Sequence, residues 1–231
     1  MGLDKKHWKQ HVLFLIIILF CIWFMYKDTN FQGKITAKNE LASMHYYYFN
    51  DAKTSFLEYG QFPLWSKTIY GGTPLFALPQ LSVLYPTGFL PVMFFDNLEL
   101  GLNSIALIQS LLAAFFMYLL MIVGFKVKPK YAFLAVLVFV FNHYFLGTTP
   151  SWIGRNKVIM LAPLLFLLLL MAMRKKQFLP YAIGAGVVMG LQFHGGGVDY
   201  VLLGLVIPGV YFAYEGFFAL LKRKWGKLLK F

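Results

Sequence analysis

Cysteine is nearly missing from this 231-residue chain. Cys21 is the only one, so neither an intrachain disulfide framework nor a cysteine-based metal site can be built. Charge is scarce as well: 13% of residues are Asp, Glu, Lys or Arg, against 59% hydrophobic and 19% aromatic. That leaves too little polar surface to cover a water-soluble core, and the mean hydropathy of +0.65 agrees. Acids are the scarcest of all, nine against 21 Lys plus Arg, for a formal net charge of +12. In a soluble chain this excess would suggest nucleic acid. Here the bases fall in short clusters between apolar runs, where they read as topology signals, and no nucleic-acid partner is expected. No phosphate-binding loop or serine nucleophile elbow is found. No ligand motif is assigned to a divalent metal, and metal dependence stays open.

The charge-free runs predict an all-α polytopic membrane protein with about six transmembrane helices, over 10–26, 100–125, 131–147, 157–173, 178–194 and 200–221. About 20 helical residues cross the hydrocarbon. An outer loop at 27–99 and a basic tail at 222–231 complete a single membrane module. The fourth span is short and contains Pro163, and Lys157 and Arg174 are expected to snorkel from its ends. Bulky Trp23, Phe24, Met25 and Tyr26 after Cys21 make the first run an uncleaved anchor.

Residues 68–95 are also charge-free, but Gly71, Gly72, Pro74, Pro79, Pro86, Gly88 and Pro91 interrupt them. Breakers at that density favour surface-lying or re-entrant pieces over a span. Six spans with both termini cytoplasmic place 14 of the 21 Lys and Arg inside, whereas seven spans starting outside place 16 there. Charge leaves both open; the prolines favour six.

On the six-span reading, Asp28, Glu40, Asp51, Glu58, Asp96, Glu99 and Asp199 all lie outside. The outer loop opens with a predicted amphipathic helix from about Lys38 to Tyr59. Leu41, Met44, Tyr48, Ala52, Phe56 and Tyr59 form its apolar stripe, suited to the membrane interface, and Glu40, Asp51 and Glu58 line one edge. Glu40 and Asp51 stand about 16 Å apart by helix rise, beyond the roughly 5–10 Å of a paired-carboxylate glycosidase. One carboxylate at most serves a given site. A lone base suits transfer to an acceptor hydroxyl from a donor whose leaving group is already a phosphate.

The segment GQFPLWSKTIYGGTPLFALPQLSVLYPTGFLP, residues 60–91, resembles the first outer loop of bacterial YfhO-type membrane proteins and related GT-C-fold glycosyltransferases. The matching clusters are Gly60, Pro63, Leu64 and Trp65; Tyr70, Gly71, Gly72 and Pro74; Pro79 and Gln80; and Tyr85 and Pro86. The likeness covers roughly residues 38–125. It implies a GT-C-like helical module in a bacterial plasma membrane, with two interfacial helices in the outer loop. It also implies a polyprenyl-phosphate sugar donor, an envelope glycan, lipid or protein as acceptor, and a reaction at the outer face. Members carry an aspartate ahead of the Pro-Leu-Trp cluster, where this chain has Asn39 and Glu40. Glu40 is thus the candidate base and Asp51 the fallback. Members are longer, with more spans, so the resemblance implies either an amino-terminal module or a reduced relative.

Each remaining candidate has a structural reading beside the functional one. Gly71 and Gly72 suit a turn or a backbone surface for the donor phosphate, with Trp65 and Gln80 beside them as substrate-binding candidates. Arg155 anchors a helix or grips phosphate in bidentate fashion. His194 and Asp199 flank a glycine hairpin, where they could contact donor or acceptor. The tail KRKWGKLLKF suits membrane lipids with acidic headgroups. Two further functions share these features: a lipid or small-molecule transporter or flippase, and a non-catalytic membrane scaffold.

Overall fold

The computed structural model describes residues 7–32, 44–77, 85–143, 153–196 and 198–221. Apolar runs become α1 (Trp8–Asn30), α4 (Leu98–Leu119), α5 (Pro129–Val140), α6 (Ile153–Arg174), α7 (Leu179–His194) and α8 (Val198–Leu221). Local chemistry sets their starts. Asn97 caps α4, its side-chain oxygen accepting from the Leu100 amide at 3.0 Å, while α5 and α7 begin with Pro129 and Pro180, where a missing N–H costs nothing. A π-helical turn, Leu120–Gly124, extends α4.

Four of these helices are long and apolar enough to cross a membrane: Trp8–Asn30, Leu98–Gly124, Gly154–Arg174 and Val198–Phe218. The chain is an α-helical integral membrane protein. With 12 and 16 residues, α5 and α7 reach only about 18 and 24 Å. The helix α5 stops at Val140, short of the predicted 147, and residues 144–152 lie outside the described segments.

Between α1 and α4 come α2 (Tyr46–Leu57), a hairpin of β1 (Trp65–Ser66) and β2 (Thr73–Pro74), and α3 (Pro86–Phe94). The strands are antiparallel, with Trp65 opposite Pro74. Nine residues make α3 too short to span. Together these pieces cap one end of the bundle. Their core unites Tyr48, Phe49, Ala52, Leu75, Phe89 and Val92 with Leu98, Leu102 and Ile105 of α4. Within the stripe of α2, Tyr48 and Ala52 are covered by protein, and Met44 and Phe56 pack partly buried against the same core. Tyr59 falls past the helix and is exposed, and Leu41 lies outside the described residues.

In the bundle, α1 and α5 pack on α4, α4 packs on α6, and α7 and α8 pack on α6. Lipid is as apolar as leucine, so cohesion here comes from close packing and interhelical hydrogen bonds. The small side chains Ala106, Ala113 and Ala114 let the neighbours of α4 approach. His11 Nδ1 meets the Tyr118 hydroxyl at 2.7 Å, Tyr26 meets Ser110 at 2.9 Å, and Asn103 Nδ2 donates to the Thr29 carbonyl at 3.1 Å, which stitches α1 to α4 along its length.

Backbones of α3 and α4 approach closely: a Cβ on Gly101 would lie 2.8 Å from Val92 Cα, whereas one on Gly186 would meet nothing within 4 Å. Gly101→Ala should lower stability by about 1–3 kcal/mol, read as the thermal midpoint in detergent. Gly186→Ala should leave it unchanged or raise it, because alanine favours helix.

Candidate functional site

The first turns of α6 carry Arg155, Asn156 and Lys157. The helix begins at Ile153, ahead of the predicted start of the fourth span at 157, so Arg155 and Asn156 are helical as well. Lys157 is 0% exposed. It does not snorkel to solvent, because α3 lies across it: its Nζ sits 5.2 Å from the centroid of the Tyr85 ring. A Cβ on Gly88 would come within 3.0 Å of Lys157 Cε and Nζ, so the missing side chain at residue 88 is what makes room for the ammonium. The Tyr85 hydroxyl donates to the Lys157 carbonyl at 3.1 Å. Arg174, at the other end of α6, does not simply extend into water either: its guanidinium donates to the Gly124 carbonyl and the Tyr211 hydroxyl.

His45, at the start of α2, is buried within electrostatic reach of Lys157. It is 2% exposed, and its Nδ1 has no hydrogen-bond partner among the described residues. Burial, with the Lys157 charge nearby, pushes its imidazole down to about 4, so the ring is neutral at physiological pH. Burial likewise raises the Tyr85 hydroxyl above its ordinary range, keeping it a proton donor.

The turn between α7 and α8 packs against the same part of α6. A Cβ on Gly154 would lie 3.1 Å from the Gly195 carbonyl oxygen, and one on Gly195 would lie 3.3 Å from Lys157 Cβ. Gly196 takes φ +88°, a backbone state that suits glycine. This turn brings His194, at the end of α7, and Asp199, in the first turn of α8, to the Lys157 end of the bundle. The Arg155 guanidinium stacks over Tyr200 at 5.1 Å. Arg155, His194 and Asp199 therefore share one region with Lys157, Tyr85 and His45.

Asp51 belongs elsewhere. Its carboxylate accepts from Ser66 Oγ and from Thr68 Oγ1, the latter at 2.7 Å, so it ties α2 to the hairpin. Trp65, Gly71 and Gly72 sit in that hairpin. Gly71 and Gly72 take φ +73° and +125°, and a Cβ on Gly72 would come within 2.9 Å of the Trp65 indole nitrogen. These residues form a turn packed on an aromatic ring. Glu40 and Gln80 lie outside the described residues.

Polar side chains also penetrate deeper. Gln192 Nε2 donates to the Val158 carbonyl at 2.8 Å, while its Oε1 has no partner among the described residues. Gln109 on α4 is 0% exposed, with both amide atoms in the same condition. His45, Gln109 and Gln192 escape the sequence reading. Gln109 and Gln192 carried a signal, an uncharged polar residue inside an apolar run; His45 carried none. Among the described residues no group of three His, Cys, Asp or Glu could hold a metal ion.

Lys157 beneath α3, with Arg155 and His194 at the same end of the bundle, offers cationic and hydrogen-donating groups, a chemistry suited to an anion such as a phosphate.

Because His45 is held neutral, the unfolded chain binds the extra proton between pH 6.5 and about 4. The stability from its burial is fully present above pH 6.5 and is lost as pH falls toward 4, by up to about 3 kcal/mol. Thermal unfolding at pH 7.5 and 4.5 should show this loss, and His45→Gln should flatten it. No family model, curated protein or solved structure matches the chain.

Proposed function

We propose that this chain is a GT-C-like membrane glycosyltransferase, or its amino-terminal module, moving a sugar from a polyprenyl-phosphate donor to a cell-envelope acceptor at the outer membrane face. The observation that carries it is Lys157, buried beneath α3, with Arg155 in the same first turns of α6 and His194 at the turn that packs on that part of α6. Cations in a dry site stabilise phosphate charge as a leaving group departs. Glu40 is assigned as base, Asp199 as an orienting group, and the hairpin with Trp65, Gly71, Gly72 and Gln80 as the surface flanking the donor. Asp51 instead serves the cap, since its carboxylate is held by the Ser66 and Thr68 hydroxyls.

A transporter or flippase is the second reading. It is favoured by Gln109 and Gln192, buried polar groups inside the bundle with unmet hydrogen-bonding capacity among the described residues.

Purified full chain incubated with labelled polyprenyl-phosphate sugar separates these. The glycosyltransferase reading expects transfer of label. Glu40→Gln should reduce it at least about a hundredfold with donor binding intact, and Lys157→Met should weaken donor binding itself. Binding without transfer supports the transporter; no binding contradicts both.

A further inference from the structure

We propose that the uncapped end of the bundle binds the phosphate headgroup of an anionic membrane phospholipid. The site is the exposed surface carrying Lys126 and Lys128 of the α4–α5 turn and Lys175 and Lys176 of the α6–α7 turn. This site is separate from the region around Lys157 and does not depend on the proposed function.

The two ends of the bundle differ sharply in charge. Among the described residues, the uncapped end gathers Lys9, Lys126, Lys128, Lys130, Arg174, Lys175 and Lys176, with Glu215 as its one acid. At the capped end, Lys27, Lys53, Lys67, Arg155 and Lys157 share the space with Asp28, Asp51, Glu58, Asp96, Glu99 and Asp199. Only one end therefore carries a strong positive field.

The structure also joins two turns that are far apart in sequence. Arg174 donates to the Gly124 carbonyl and, at 2.8 Å, to the Tyr211 hydroxyl. Beneath it Phe125, Phe166, Tyr211 and Phe212 pack edge to face. Arg174 is thus used as a brace, and it fixes the two turns side by side. Lys126, Lys128, Lys175 and Lys176 remain exposed around the brace. No acid lies in the first turn of α5 or α7, and Glu215, one turn beyond Tyr211 on α8, is the one acid of this end among the described residues.

A phospholipid suits this rim better than a free anion. Phe178, Leu179 and Tyr131 stand exposed next to the lysines, at 60%, 58% and 52%. Ammonium groups beside bare apolar side chains, at the end of membrane-crossing helices, match a phosphate whose ester chains enter the hydrocarbon.

The test is titration of the purified full chain, in neutral detergent, with phosphatidylglycerol, phosphatidylcholine or inorganic phosphate, reading lipid retention by native mass spectrometry. Phosphatidylglycerol should be retained in preference to phosphatidylcholine, and inorganic phosphate at equal concentration should not displace it. The variant K126Q/K128Q/K175Q/K176Q should weaken retention at least about tenfold, while K27Q/K53Q/K67Q at the capped end leaves it unchanged. R174Q, which keeps all four lysines but removes the brace, should weaken it as well. If the quadruple variant does not purify folded, the pairs K126Q/K128Q and K175Q/K176Q are titrated separately, each with a loss of about threefold expected. Unchanged retention in these lysine variants, equal retention of phosphatidylcholine, or displacement by phosphate would overturn the proposal.

Discussion

Burying one ammonium group at the end of an apolar helix sets the terms for the rest of this molecule. A charge removed from water near the hydrocarbon is expensive unless protein dipoles and rings replace its hydration. Lys157 meets that demand through the Tyr85 ring and the space left by Gly88. For this to work, α3 must lie across the start of α6, and α3 lies there because Gly101 lets Val92 approach α4 at backbone distance. The cap is thus tied to the bundle by an electrostatic need at one point and by close packing at another.

Other polar contacts follow the same logic. Lys53 donates to the Phe95 and Asp96 carbonyls and so closes the end of α3, while Asp51 fastens the hairpin to α2. Tyr26, Asn103 and His11 hold α1 against α4. Where water is absent, such contacts give helix association its specificity. The lipid-facing surface of α8, by contrast, is apolar and little buried, and that helix is held mainly by the Tyr211 region and by its turn to α7.

The four long helices are legible in the sequence because an apolar run of sufficient length has few other solutions. The density of proline and glycine between residues 71 and 91 likewise foretells short, broken structure, found as a two-residue hairpin and a nine-residue helix. What could not be read is where the cap docks. A lysine at the edge of an apolar run normally extends toward water, and only the fold brings Gly88 and Tyr85 over Lys157. The stripe of α2 states that something apolar covers it, without naming α3 and α4 as the elements that meet Tyr48 and Ala52. Arg155, His194 and Asp199 fall together because the α7–α8 turn returns to α6, while Asp51 faces the hairpin. Of the acids proposed for chemistry, only Asp51 and Asp199 lie in described segments.

The central claim, that the cap seals Lys157 inside the protein, is open to a direct measurement. Folded, detergent-solubilised protein is treated briefly with a water-soluble amine-modifying reagent, and the extent at each lysine is read by peptide mass spectrometry. The account predicts rapid modification of exposed Lys67 and Lys176, with Lys157 protected until the protein is denatured. Modification of Lys157 at the same rate as those two in the folded state would contradict it.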